Sequence, residues 1–255
     1  MNRKLSSDES FDFRPDSTKL ESLAEFAAGI GHELNNPLAI INGRVQLLQR
    51  RYDDVQTRRD LAEIQAAVFR ASEMIADIRL FACPPEPTFE TTDLSSVLNQ
   101  LKTVFVPLIE RRSIEIKLAG TETPALIEAD PGQMAILFQA VVRNSIEAIG
   151  EKGTVSIALH SAAETDDCRI VVVSDNGPGL TEYEARHAFD PYYSARQANR
   201  GLGFGLCKAW RIVQMHAGDI QVQSCPPAGS TFQISLPIVQ TERQEKYVEQ
   251  SGEQS

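Results

Sequence analysis

The sequence predicts a helical hairpin, able to form a four-helix bundle in a dimer, followed by an α+β two-layer sandwich. In the first third of the chain, apolar residues recur at steps of three or four, which is the period of one helix face. A segment at 83–88 interrupts this pattern with three prolines and predicts a stiff linker. Beyond it, strand-like segments alternate with helix-like ones, which is typical of a mixed sheet with helices on one face.

The first helix is expected at about 17–51, after a polar lead-in. Its apolar face comprises Leu23, Phe26, Ile30, Leu34, Leu38, Ile41, Val45 and Leu48. His32 lies two positions from both Ile30 and Leu34, so its side chain is predicted to point away from the apolar seam into solvent.

An exposed imidazole can titrate near neutral pH and can act as a nucleophile, so His32 is a candidate reactive group. The adjacent Glu33 could orient or deprotonate it, and Asn36 follows one turn later on the same face. Pro37 is expected to bend the helix just beyond them. The alternative is an ordinary amphipathic helix with a surface histidine. The choice between a reactive and a plain surface histidine depends on what the rest of the sequence contains.

The second helix follows a polar break at 52–58 and extends to about Ala82. It carries an apolar heptad pattern made by Leu61, Ile64, Val68, Ala71, Ile75 and Ile78. A hairpin with one apolar stripe on each helix cannot bury both stripes alone, so we expect a homodimer.

Composition excludes several classes of protein. The net charge of -10 argues against general nucleic-acid binding. No apolar run approaches the roughly 18 residues of a membrane span, and the N-terminus does not read as a signal peptide. The four widely spaced cysteines form no zinc pattern, and unpaired thiols in a reducing cytoplasm are the expected state.

The second half is expected to contain helices at 94–111, 131–149, 182–188 and 202–216, and strands at 113–118, 125–129, 154–160, 168–174, 219–224 and 230–236. Within it, Asn144 lies on the helix that opens at Pro131, and its amide oxygen is a suitable ligand for Mg²⁺ beside phosphate oxygens. Asp175 ends an apolar strand and could accept a hydrogen bond from an exocyclic amine such as adenine N6. Gly177 and Gly179 would let the backbone approach a flat ring. A surface asparagine and a tight turn are the plain alternatives.

Two more glycine segments follow. Gly201, Gly203 and Gly205 stand at a helix start, where backbone N–H groups and the helix dipole suit phosphate contact. The segment 229–232, which contains Thr231, enters the last strand and could equally be a hairpin turn.

Together and in this order, these segments resemble a sensor histidine kinase core. Residues 29–38 resemble the H box, the stretch around Asn144 resembles the N box, and residues 189–193 resemble the F box. Three further segments resemble the glycine boxes: 175–179, 201–205 and 229–232. The resemblance covers roughly 20–238, is most similar to the nitrogen-regulatory type, and implies an ATP-binding domain of the GHKL (Bergerat) type. The expected boundaries are a lead-in at 1–17, a dimerisation and histidine phosphotransfer domain at 18–83, a linker at 84–90, a catalytic ATP-binding domain at 91–238 and a polar tail at 239–255.

The resemblance also implies roles for single residues. His32 would take the γ-phosphoryl group of ATP, Glu33 would take up its proton, and Asn36 would position water for a phosphatase reaction. Asn144 would hold Mg²⁺ and Asp175 would bind the adenine.

The remaining implied site residues belong to the glycine boxes. Gly177, Gly179 and Thr231 would complete the ATP site, and Gly201, Gly203 and Gly205 would hinge a mobile lid at 190–202. Arg196 and Arg200 are candidate phosphate contacts by charge and position alone. The implied partners are a second copy of the chain, the receiver domain of a response regulator and an unidentified sensory input. No sensor or receiver domain is expected within these 255 residues.

One departure bears on the choice of function. Ala140 stands four residues before Asn144, where many such kinases have a second asparagine and GHKL ATPases have a catalytic glutamate. The missing glutamate argues against simple ATP hydrolysis. The expected function is an ATP-dependent histidine kinase that phosphorylates an aspartate of a response regulator. The alternative is a phosphotransfer or phosphatase module whose nucleotide domain is only regulatory.

Overall fold

The computed structural model describes residues 17–161, 167–191, 193, 203–224 and 226–239, with side chains from residue 33 onward. The chain divides into two compact units. A helical unit includes residues 17–85, and an α+β unit includes residues 86–190 and 205–239. Within the described parts of the chain, no helix is both long and apolar enough to cross a membrane.

The helical unit is the hairpin that the sequence predicts. Helix α1 spans Ser17–Arg51 and helix α2 spans Val55–Ala82. The Asp54 carboxylate caps α2 by accepting a hydrogen bond from the backbone N–H of Thr57 at 2.8 Å. This bond lowers the pKa of Asp54 below its ordinary value. Because of the cap, α2 begins before the end of the break predicted at 52–58.

Only part of the predicted apolar seam is buried within one chain. Its buried members are Val45, Leu61, Val68 and Ile75. Between the two helices, the Gln49 side-chain amide donates to the Gln65 side chain at 3.3 Å, and that of Gln65 donates to Asn42 at 3.2 Å. The hairpin is therefore held by a narrow apolar contact and a short chain of amide hydrogen bonds.

Other predicted seam residues are exposed in a single chain. Leu34 is 44% exposed, Ile41 43%, Leu48 39% and Ile64 46%, and Phe69, outside the seam, is 54% exposed. Large apolar side chains that are exposed at several positions of one hairpin indicate an interaction surface.

The α+β unit is built on a five-stranded mixed sheet with strand order β2-β4-β5-β7-β6. Its strands are β2 (Ile114–Ala119), β4 (Gly153–Ser161), β5 (Cys168–Asp175), β6 (Asp219–Ser224) and β7 (Ser230–Pro237). The β2–β4 pair is parallel and the other pairs are antiparallel. Strand β5 therefore lies at the centre of the sheet, and its residues 171–175 alternate between buried and partly exposed positions.

Helices form the second layer, as the sequence predicts. They are α3 (Leu94–Arg112), α4 (Pro131–Ile149), the short α5 (Glu182–Arg186) and α6 (Gly205–Met215). Helix α4 is the central one, since it packs on α3, α6, β4 and β5. Its side chains Met134, Leu137, Phe138, Val141 and Ile146 are fully buried.

A small two-stranded ribbon contains one strand that the sequence predicted, at 125–129, and one that it did not. Strand β1 (Glu90–Asp93) pairs antiparallel with β3 (Leu126–Ala129) and begins inside the predicted linker. It is fixed by polar contacts, because the buried Thr92 hydroxyl donates to the carbonyl of Ala129 at 2.9 Å. The Asp93 carboxylate accepts from the backbone N–H of Ala125 at 2.8 Å.

Candidate nucleotide site and phosphoacceptor helix

The carboxylate of Asp175 is the centre of the candidate nucleotide site. Val171 and Val173 are fully buried in the sheet, and they fix strand β5 so that Asp175 is also buried at its end. Its Oδ1 atom accepts hydrogen bonds from the backbone N–H of Gly177 at 2.9 Å and of Ser230 at 3.3 Å. Two backbone donors from segments far apart in sequence therefore orient one carboxylate.

The first and last glycine segments meet at this carboxylate. A Cβ atom on Gly229 would lie 1.8 Å from the carbonyl oxygen of Asp175, and Gly229 has φ of +92°. A Cβ on Gly177 would lie 2.9 Å from Asp175 Oδ1 and 3.3 Å from the backbone of Ala148 and Ile149. Side chains at these two positions are excluded sterically, so the glycines are required by the close packing of backbone around Asp175.

Thr231 lies on the strand next to Asp175. In the β5–β7 register it is paired with Ser174, and the two hydroxyl oxygens are 3.0 Å apart. Gly179 follows in the same loop as Gly177, with φ of +75°. The structure thus brings Asp175, Gly177, Gly179 and Thr231 together, as expected from the glycine boxes.

Asn144 lies on the helix that flanks this turn. It is half-buried, one turn before Ala148, whose backbone adjoins Gly177. Residues four apart share a helix face, so Asn144 lies on the side of α4 that borders the first glycine segment. Ala140, one further turn back, is buried. Over the described residues, no cluster of three His, Cys, Asp or Glu side chains is placed to hold a metal ion.

The start of α4 is fixed by a capping aspartate. Asp130 Oδ1 accepts from the backbone N–H of Gln133 at 2.9 Å, and Oδ2 accepts from that of Thr88 at 2.9 Å. Partial burial acts to raise the pKa of Asp130, but these backbone hydrogen bonds outweigh it and hold the pKa below its ordinary value.

His216, to which the sequence analysis assigned no role, joins this cap to the end of α6. Its Nδ1 lies 2.8 Å from the carbonyl oxygen of Ile212, and its Nε2 accepts from the backbone N–H of Asp130 at 3.1 Å. The imidazole is fully buried, packs edge to face on Phe89, and has a pKa lowered by that burial. These contacts require the neutral ring with its proton on Nδ1.

The second glycine segment is described in part. Gly203 has φ of +74°, and Gly205 is the first residue of α6. Gly201, Arg196 and Arg200 lie outside the described residues.

The candidate phosphoacceptor stretch lies on α1, in the helical unit. Helix α1 includes His32 and continues through Pro37, while the side chain of His32 is outside the described part. Glu33 and Asn36 are both exposed on the helix surface. The two candidate sites thus belong to separate units: the α1 stretch that contains His32 lies in the helical unit, and the carboxylate of Asp175 lies in the α+β unit.

Two family comparisons match these two units. Residues 22–86 match the His Kinase A (phospho-acceptor) domain, and residues 129–240 match the histidine kinase-, DNA gyrase B- and HSP90-like ATPase. The class defined by this pair is a phosphoacceptor helical hairpin joined to a GHKL-type ATP-binding domain.

Two individual proteins are similar to this chain along most of its length. Sporulation kinase C of Bacillus subtilis is 31% identical over 224 residues, which cover 88% of this chain and 51% of that protein. Sensor histidine kinase ZraS of Escherichia coli K12 is 28% identical over 221 residues, 86% of this chain and 46% of that protein. The chain belongs to the two-component sensor histidine kinases and carries their core. It spans about half the length of these curated relatives.

Solved structures share the fold. Full-length ShkA in complex with AMPPNP has a TM-score of 0.73 at 22% identity, covering 84% of this chain and 46% of ShkA. Histidine kinase ThkA in complex with the response regulator protein TrrA has a TM-score of 0.63 at 23% identity, covering 89% of this chain and 65% of that chain. At these identities the likeness concerns the fold alone.

Proposed function

We propose that this chain is an ATP-dependent protein-histidine kinase, which phosphorylates itself on His32 and passes the phosphoryl group to an aspartate of a response regulator. The observation that supports this best is the buried carboxylate of Asp175, whose Oδ1 is held by backbone N–H groups of Gly177 and Ser230. A carboxylate fixed in this way is suited to accept a hydrogen bond from the amino group of adenine.

The rest of the nucleotide would extend from Asp175 along α4 towards the start of α6. Gly177 and Gly179 allow the purine ring to approach the backbone, and Thr231 lies beside them. The amide oxygen of Asn144 would supply one hard ligand to a Mg²⁺ ion that also binds phosphate oxygens and offsets their charge. Gly201, Gly203 and Gly205 would provide backbone N–H groups for the phosphates and hinge the lid.

The chemistry at His32 is a nucleophilic displacement at the γ-phosphorus. An imidazole nitrogen forms the P–N bond, the bond to the β–γ bridging oxygen breaks, and ADP leaves. Glu33, the adjacent exposed carboxylate, would accept the imidazole proton. In the second step an aspartate carboxylate of the response regulator attacks the phosphorus and the P–N bond breaks. Asn36, exposed one turn from His32, would orient a water molecule for the phosphatase reaction.

A homodimer is part of this proposal. The exposed seam residues Leu34, Ile41, Leu48 and Ile64 need a partner surface, and a second hairpin presents the same stripe. An isologous four-helix bundle would bury both stripes.

The test is incubation of the full chain with Mg²⁺ and ATP labelled on the γ-phosphate. We expect an acid-labile, alkali-stable label that is lost in His32→Gln and retained in His160→Gln, an exposed histidine of the other unit. A receiver domain should then remove the label from the chain. Label that survives His32→Gln would refute the proposal. ATP binding without labelling would favour the module with a regulatory nucleotide domain, for which Ala140 is the supporting feature.

A further inference from the structure

Ser224, at the end of strand β6, uses its whole hydrogen-bonding capacity on the candidate nucleotide site. Its Oγ donates to the carbonyl oxygen of Gly229 at 2.8 Å and accepts from the backbone N–H of Leu180 at 2.6 Å. The Ser230 hydroxyl oxygen lies 3.1 Å away. Because a serine hydroxyl has one proton, and Gly229 takes it, the Ser230 hydroxyl is the donor in the third contact.

The contact with Gly229 fixes the orientation of a particular peptide unit. The carbonyl of Gly229 and the N–H of Ser230 belong to the same planar peptide group and point in opposite directions. The carbonyl oxygen is held by Ser224, while the N–H donates to Asp175 Oδ1 at 3.3 Å. One peptide plane is therefore clamped between the Ser224 hydroxyl and the carboxylate of Asp175.

The contact with Leu180 ties down the other side of the site. Leu180 ends the loop that begins at Asp175 and contains Gly177 and Gly179. A Cβ on Gly179 would lie 3.1 Å from both Ser224 Oγ and the carbonyl oxygen of Gly229, so the loop packs directly against this serine. Ser224 thus bridges the first and last glycine segments, which together orient Asp175.

We propose that Ser224 is a positioning residue for base recognition: it orients the Gly229–Ser230 peptide, and through it the carboxylate of Asp175, so that the site selects a purine bearing a 6-amino group. This inference rests on the proposed function, in which Asp175 binds adenine. Without the hydroxyl, the Gly229 carbonyl loses this donor, and the Ser230 N–H is directed less firmly at Asp175 Oδ1.

The experiment compares two ligands by calorimetry on the full chain with Mg²⁺: ATP, and purine riboside triphosphate, which lacks the 6-amino group. In Ser224→Ala we expect ATP binding to weaken roughly three- to tenfold, the loss typical of one hydrogen bond. Binding of purine riboside triphosphate should stay unchanged. The ratio of its dissociation constant to that of ATP should therefore fall towards one. Ser156→Ala, at an exposed serine of strand β4, should keep the wild-type ratio.

A pair of isosteric variants keeps the test valid if Ser224→Ala folds poorly. Ser224→Thr retains the hydroxyl and Ser224→Val lacks it, and both β-branched residues suit a strand. We expect the threonine variant to keep the preference for ATP and the valine variant to lose it. Equal weakening of both ligands would indicate a merely structural serine and overturn the inference, as would an unchanged ratio in the valine variant. A wild-type chain that binds neither ligand would overturn the proposed function itself, and this inference with it.

Discussion

The two units differ in how they bury their apolar residues. In the α+β unit, Leu94, Phe138 and Phe232 are fully buried, and its sheet and helices form a core within one chain. In the helical unit, Ile64 and Phe69 are about half exposed, at 46% and 54%. The difference indicates that the core of the α+β unit forms within one chain, whereas the apolar stripe of the hairpin is suited to pack on a partner surface. Four changes test this contrast.

The largest effect is expected from Gly229→Ala in the self-contained unit. Its Cβ would lie 1.8 Å from the carbonyl oxygen of Asp175, at a φ of +92°, so the backbone around the carboxylate must move. We expect the free energy of unfolding to fall by roughly 3 kcal/mol and ATP binding to be lost. Denaturant unfolding and calorimetry measure both, and wild-type values for both would show that the described packing at Asp175 is wrong.

The next effect concerns the incomplete unit. Ile64→Asp places a charge on the exposed stripe of α2, where a second hairpin would remove it from water. We expect the dimer dissociation constant, measured by analytical ultracentrifugation, to rise by at least about tenfold. Ala66→Asp adds the same charge to α2 at an exposed position off the stripe and should leave the dimer intact. An equal rise of the dissociation constant in both variants, or a monomeric wild type, would contradict the assignment of this stripe to the dimer interface.

A smaller effect should depend on pH. Burial keeps the pKa of His216 below its ordinary value of 6.5, so the unfolded chain takes up a proton at this residue before the folded chain does. Stability contributed by the neutral ring is present above pH 6.5 and is lost as the pH falls below it. We expect the unfolding free energy to decline as the pH falls through about 6.5, and to decline less in His216→Gln. Parallel pH profiles would show that His216 does not cause the decline.

The smallest effect is expected at Gly43, in the middle of α1. A Cβ at this position would meet no described atom within 4 Å in a single chain. Gly43→Ala should therefore stabilise the helix by about 0.5–1 kcal/mol. Thermal unfolding of the dimer measures this gain. Destabilisation instead would indicate that a partner hairpin packs against Gly43, which would move the expected interface.

The sequence predicted the elements whose residues follow a clear apolar period. Strand β5 and helix α4 lie where their patterns indicated, and α4 begins at Pro131 after its Asp130 cap. The polar strand β1 was missed, because its pairing with β3 comes from backbone and threonine contacts rather than from alternating apolar residues. The predicted helix at 202–216 begins only at Gly205, since Gly203, with φ of +74°, does not adopt a right-handed helical backbone.

The candidate site shows the same division. Asp175 could be predicted because its carboxylate comes at the end of an apolar strand and is followed by glycines. Ser224 and His216 were not found, because a single serine at a strand end or a single histidine at a helix end has no distinctive pattern. Ser224 contacts the carbonyl of Gly229, which lies in the loop that follows β6. His216 contacts the backbone N–H of Asp130, which is distant in sequence.

The proposed function requires that the γ-phosphoryl group of ATP bound at Asp175 is transferred to His32. The most direct measurement is mass-spectrometric localisation of the phosphate, at alkaline pH, after incubation of the full chain with Mg²⁺ and ATP. We expect phosphohistidine at His32 in the wild-type chain and none in Asp175→Asn, although that variant should still form the dimer. Phosphate on another residue, or phosphorylated His32 at the wild-type level in Asp175→Asn, would contradict it.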